Sequence, residues 1–313
     1  MDLMGSVREG YPMSDSIPRR QFLATAAGAF ALGGRAKSDD PVAAEKAAAE
    51  PRLFAGCCAY SYFRYLQKGK MTMEEMILKG VELGICGVDL TAYWLKSTDP
   101  EYLVGLRHLG FLNRVGFSGT AIGATMVQAD PRKRAAVLEE IKKWVDATDR
   151  LGASHVRVFA GTLPRGATID QGVGWVVEIM KAATDYSGKK GITLGIEDHG
   201  GISQNAGTLL EILHRVDSPY AGVNLDITHF VPTPAEDGYA QIEACVPYAT
   251  MTHIRDRFDD GTPIDLDRVW QIFARHGYKG FMSLEYEGRE DAMIAVPRQI
   301  AQIKALCAKY STV

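Results

Sequence analysis

Four stretches of the chain close an apolar run on side chains that can hold a cation or move a proton. They are "GIEDHGG" with Glu197, "VNLD" with Asp226, "THIRDR" with His253, and "SLEYEG" with Glu285. A buried carboxylate is costly unless it is paired or bound to a metal. Three carboxylates and one imidazole brought to one place therefore require a cation. Oxygen and imidazole donors without thiolates suit one divalent ion such as Mn²⁺, Mg²⁺, Co²⁺ or Zn²⁺, and not a structural cysteine–zinc site.

What brings them together is a repeating pattern. From Leu53 onward, short apolar runs alternate with amphipathic segments. Strands are expected at Leu53–Ala59, Cys86–Leu90, Phe117–Ile122, His155–Phe159, Ile192–Glu197, Gly222–Asp226, Thr250–Ile254 and Phe281–Glu285. Helices are expected at Met73–Leu83, Glu101–Val115, Ala135–Leu151, Val173–Lys189, Leu209–Val216, Gly238–Cys245, Leu266–His276 and Ala292–Lys309. Glycines such as those in "ELGICGVDL" and "RLGASHVRV" stand where helices should stop. Eight such units predict a single (β/α)8 TIM barrel over residues 52–313. A doubly wound sheet would need a glycine-rich phosphate loop after the first strand, and "CCAYSYFRY" is not one.

Side chains alternate along a strand. That parity sends Glu197, Asp226, His253 and Glu285 inward at the ends of strands five to eight. Barrel enzymes keep their sites at this C-terminal face. Arg157 shares the inward face of strand four with His155 and Phe159, and needs an anion such as Glu197 or a substrate.

The bulk properties exclude some functions. With 313 residues, 46% hydrophobic and a formal charge of −3, the chain has no basic footprint for nucleic acid. The five cysteines form no CxxC pair and are expected to be buried free thiols. Residues 1–38 carry Arg19-Arg20, then an apolar run from Phe22 to Gly34 too short to anchor in a bilayer. This resembles a twin-arginine export signal, which implies the twin-arginine machinery as partner and a periplasmic or otherwise exported protein. Residues 39–51 read as a linker.

The four motifs, in this order and at these strand ends, resemble the sugar phosphate isomerase/epimerase family, the xylose isomerase-like TIM barrels. The resemblance covers residues 53–310. It implies that Glu197, Asp226, His253 and Glu285 bind one divalent metal, with Glu197 and Glu285 also the acid/base pair. It implies substrate contact by His229, three residues after Asp226, and His199 is a further candidate in the loop after Glu197. In the family an arginine follows the strand-seven histidine at a longer spacing; here Arg255 and Arg257 come sooner and are the candidates. Asp256 resembles a second-metal position in xylose isomerase, although a cap or salt-bridge role is expected here. Related barrels often form homo-oligomers.

The expected function is isomerisation or epimerisation of a keto-sugar by proton abstraction beside a carbonyl. The export signal favours an unphosphorylated sugar. The same residues suit a lyase or hydratase acting on 3-keto-sugars or 3-keto-glycosides. A non-catalytic sugar-binding barrel is a more distant alternative. An endonuclease IV-type reading would need histidines on the early strands, and "CCAYSYF", "DLTAYW" and "AIGATM" offer none.

Overall fold

Inward and outward parity, set residue by residue along eight strands, decides which side chains meet in this structure. The structure is a computed structural model that describes residues 50–233 and 237–311. The expected export signal, and the linker up to residue 49, lie outside the described residues.

Eight parallel strands close into a barrel in sequence order. They are β1 (Arg52–Cys58), β2 (Gly87–Thr91), β3 (Gly116–Thr125), β4 (His155–Phe159), β5 (Thr193–Glu197), β6 (Ala221–Asp226), β7 (Ala249–Ile254) and β8 (Lys279–Leu284). Each is followed by a helix on the outside. These are α1 (Met73–Leu83), α2 (Pro100–Asn113), α3 (Pro131–Leu151), α4 (Ile169–Gly188), α5 (Ala206–Val216), α6 (Gly238–Cys245), α7 (Leu266–Arg275) and α8 (Ala292–Tyr310). A further single turn, Phe63–Leu66, lies between β1 and α1. No described helix is long and apolar enough to cross a membrane.

Local chemistry sets the helix ends. Thr72 and Glu75 form a reciprocal capping box at the start of α1, and Gly84 ends it in the left-handed region at φ 61°. Thr168 and Gln171 do the same for α4. Helix α3 begins at Pro131, four residues before the periodic pattern, because Asp130 caps it and proline suits the first turn.

The outward side chains of the strands, among them Val156, Val158, Leu194, Ile196, Val223 and Leu225, are fully buried against the helices. They share one continuous apolar layer with Ile141, Val145, Val176, Met180, Leu209 and Ile212. Burying each such side chain contributes about 1.5–3 kcal/mol. The interior is filled differently. His155 lies across β5, where a Cβ on Gly195 would sit 2.4 Å from its Nε2. The same nitrogen is 3.1 Å from Thr250 Oγ1.

The barrel closes where β8 pairs with β1, with Gly56 opposite Ser283 and Cys57 opposite Leu284. The chain end reinforces the seam, since the Leu53 amide donates to Ser311 Oγ at 3.1 Å.

Candidate active site

The inward parity of β5 to β8 brings Glu197, Asp226, His253 and Glu285 to the C-terminal mouth, all with 5% exposure or less. His253 meets both glutamates. Its Nδ1 is 3.7 Å from Glu197 Oε2 and 3.4 Å from Glu285 Oε2. Glu197, Asp226 and His253 each place a ligand atom within 4.8 Å of the others.

Arg157 reaches the same cluster from β4. Its Nε is 2.9 Å from Glu197 Oε2, and its Nη1 donates to Ile122 O at 3.2 Å. The guanidinium also covers the Phe159 ring at 4.0 Å. Burial opposes charge on Glu197, yet Arg157, then His199 and His229, hold it well below the usual carboxylate range. Arg255 contacts Asp226 Oδ2 through Nη2, and lies 3.8 Å from Glu285 and 3.2 Å from Glu287. Burial opposes charge on Asp226 too, but Arg255 and His229 hold it down to about 2.

Beside this cluster runs a histidine pair. His229 Nε2 is 3.0 Å from His199 Nδ1, 3.4 Å from Asp226 Oδ2 and 3.7 Å from Glu197 Oε1. His229 Nδ1 is 2.7 Å from Asp259 Oδ2. Burial works against a charged His229, but Asp226, Asp259 and Glu197 push it up to about 11. His199 is the more exposed partner, with Nδ1 3.4 Å from Glu197 Oε1.

Arg257 is not brought to this cluster. An antiparallel bridge between Arg257 and Pro263 turns it outward, where its guanidinium donates to Gly261 O at 3.0 Å. Asp256 is likewise exposed and accepts from Gln299. One cysteine also departs from expectation. Cys86 is exposed at the turn before β2, while the other four are buried.

Several residues at the mouth are not in the set read from the sequence. Asp89 on β2 lies across the barrel from β7, and its Oδ2 is 3.1 Å from His253 Nε2. Its signal was available, since Val88 and Leu90 face outward and parity turns Asp89 in. Asp198 accepts the Asp226 amide at 2.8 Å, and burial pushes its carboxyl well above the usual range. Asp259 sits in the loop after β7 and has no local signal linking it to His229. The aromatic wall expected from "YSYFRY" is present in part. Tyr60 stacks on Phe63 at 5.1 Å and meets Trp94 at 5.5 Å.

The residues fit a divalent cation. Burial disfavours a charged His253, yet Glu285 and Asp89 push it well above its ordinary range. The carboxylates thus draw a positive charge to His253, whose Nδ1 faces both glutamates. Glu197 Oε2, buried and ion-paired with Arg157, still takes no well-aligned hydrogen bond and keeps acceptor capacity for a cation. A metal bound by Glu197, Asp226, His253 and Glu285 would satisfy both conditions.

No curated protein sequence matches the chain. Solved structures share its fold. The zinc-binding IOLI protein is 15% identical, with TM-score 0.65, over 84% of this chain and 100% of that one. The probable 3-DHS dehydratase AsbF from Bacillus anthracis is 15% identical, with TM-score 0.63, over 81% and 98%. D-psicose 3-epimerase, solved in the presence of D-fructose, is 15% identical, with TM-score 0.65, over 82% and 96%. The family model described as "Xylose isomerase-like TIM barrel" matches residues 81–307. With its closed eight-stranded barrel and this match over most of its length, the chain belongs to the xylose isomerase-like TIM barrel family.

Proposed function

We propose that the protein is a divalent-metal-dependent isomerase or epimerase of an unphosphorylated keto-sugar. The observation that carries this reading is the approach of both Glu197 and Glu285 to one nitrogen, His253 Nδ1, at 3.7 and 3.4 Å. A bound divalent ion supplies polarisation of the sugar carbonyl and its neighbouring hydroxyl, which lowers the cost of removing the adjacent C–H proton.

The side chains carry the proton. Arg157 keeps Glu197 ionised, the state a base needs. Glu285 follows β8 while Glu197 ends β5, so a substrate seated between them could lose a proton to one carboxylate and regain it from the other with inverted geometry. His229, held by Asp259, presents Nε2 to the same space and is placed to donate to a substrate hydroxyl. Tyr60 and Trp94 offer ring faces for sugar stacking.

The twin-arginine-type leader read at Arg19-Arg20 supports an exported enzyme and hence a free sugar. A second reading, β-elimination from a keto-sugar by the same residues, is supported by the likeness to a probable dehydratase.

The test is deuterium uptake followed by NMR. The protein is incubated in D₂O with Mn²⁺ and a panel of free ketoses, hydroxypyruvate and 3-keto-glucosides. Exchange at a carbon beside the carbonyl, lost in Glu285→Gln, is expected. An inverted centre in the product identifies an epimerase and an unsaturated product identifies a lyase. Absence of exchange across the panel with metal bound would overturn both.

A further inference from the structure

The β1 strand ends on two cysteines that face opposite ways. Cys57 lies in the apolar layer between strands and helices, as do Cys245 and Cys307. Cys58 faces the barrel mouth instead. Its Sγ donates to Glu285 Oε1 at 3.7 Å and is 3.7 Å from Thr91 Oγ1. Both Cys58 and the groups it meets are buried.

A thiol needed only for packing would share the surroundings of Cys57. Cys58 belongs to a polar set. Cys58, His253 and Glu285 each place a ligand atom within 4.8 Å of the others. Glu197, Asp226 and His253 satisfy the same condition, and His253 is common to both sets. The two sets therefore meet at the His253 imidazole. The register explains why. Cys58 is opposite Asp89 on one side, while Cys57 opposite Leu284 places Cys58 beside Glu285 on the other.

We propose that Cys58 is a sulfur donor to the divalent cation, making this a centre that prefers thiophilic ions such as Zn²⁺, Co²⁺ and Cd²⁺ over Mn²⁺ and Mg²⁺. The proposal rests on the reading that Glu197, Asp226, His253 and Glu285 hold a cation. On binding, the S–H bond breaks and its electron pair forms the sulfur–metal bond. The proton passes to Glu285 Oε1, which already accepts it, and then to solvent. Thiolate is a soft ligand, so its presence shifts preference away from ions that favour oxygen alone.

The experiment is a Co²⁺ titration of the metal-free full chain, read by absorption. Visible d–d bands report that the centre is occupied. A sulfur-to-cobalt charge-transfer band in the near ultraviolet reports the thiolate. Both are expected in the wild type, and Cys58→Ser should keep the first and lose the second. Competition should show the preference for Cd²⁺ over Mn²⁺ falling roughly tenfold or more in that variant. X-ray absorption of the zinc-loaded wild type gives a second readout that needs no variant, a zinc–sulfur distance of about 2.3 Å.

Visible bands without the ultraviolet band, or with only oxygen and nitrogen neighbours around zinc, would overturn the role of Cys58 and leave the metal reading standing. An ultraviolet band that survives in Cys58→Ser assigns the sulfur elsewhere and overturns it too. No cobalt binding at all would overturn the metal reading itself, and this proposal with it.

Discussion

His253 Nε2 and Asp89 Oδ2 lie 3.1 Å apart although their strands, β7 and β2, are not neighbours in the barrel. The contact spans the interior and fixes the imidazole plane, leaving Nδ1 toward Glu197 and Glu285. A carboxylate in this position also raises the basicity of a metal-binding histidine. Asp89→Asn should therefore weaken Mn²⁺ or Zn²⁺ binding by about 10–100-fold. Isothermal titration calorimetry checks this, and an unchanged affinity would show that His253 is held by its packing alone.

The buried pair of Arg157 and Glu197 yields a stability prediction. Both side chains are 4% exposed and 2.9 Å apart. Removing Arg157 leaves the buried Glu197 with only the neighbouring histidines to offset its charge, at a cost of up to about 3–5 kcal/mol. Arg157→Met should lose that much in urea unfolding of the metal-free chain. Replacing both partners, as Arg157→Met with Glu197→Leu, should recover part of it.

Cation binding should be visible as stabilisation without any substrate. An ion at about one hundred times its Kd stabilises a folded state by about 2.7 kcal/mol. Thermal unfolding with and without Mn²⁺ should show the rise, and chelation should reverse it. Asp226→Ala should abolish the response, since Asp226 is one of the converging ligands. A rise of equal size in that variant would place the ion elsewhere.

His155, which is not one of the expected ligands, gives a pH prediction. Burial lowers its pKa from 6.5 to about 4, so it is neutral in the folded chain near neutrality. Unfolded, the imidazole takes a proton below about 6.5; folded, it does so only below about 4. Between those values the unfolded state binds the extra proton, and stability falls as pH drops through that window. The loss reaches about 3 kcal/mol and levels off below it. It should appear as the difference between wild type and His155→Gln in unfolding measured from pH 7 to pH 4. Parallel curves would sink the assignment.

The strands were legible in the sequence because a barrel strand carries two signals at once, an apolar outward set and a polar inward one. Val223 and Leu225 against Asn224 and Asp226 show it plainly. The helix starts were less legible. Asp130 with Pro131, and Thr168 with Gln171, are polar or turn-forming residues that apolar periodicity does not register. Arg255 and Arg257 have the same parity after His253, yet the bridge to Pro263 separates their fates. Asp259 meets His229 only because the loop after β7 folds back, as shown by its amide bonding to Thr228 O at 3.1 Å. Such a pairing has no local spacing to announce it. Asp89 is the opposite case. The alternation that marks Asp226 applies to it equally, since Val88 and Leu90 are its outward neighbours.

The seam between β1 and β8 also dates the site in the life of the chain. Glu285 follows the last strand, and Cys58 ends the first. A ribosome that has released residues up to α7 has exposed three of the four expected ligands and left an open sheet edge. Only when β8 emerges and pairs with β1, more than two hundred residues upstream, do the fourth ligand and the barrel wall arrive together. The expected ligand set is thereby completed last, and a chain cut short before β8 has neither a closed barrel nor all four of those residues.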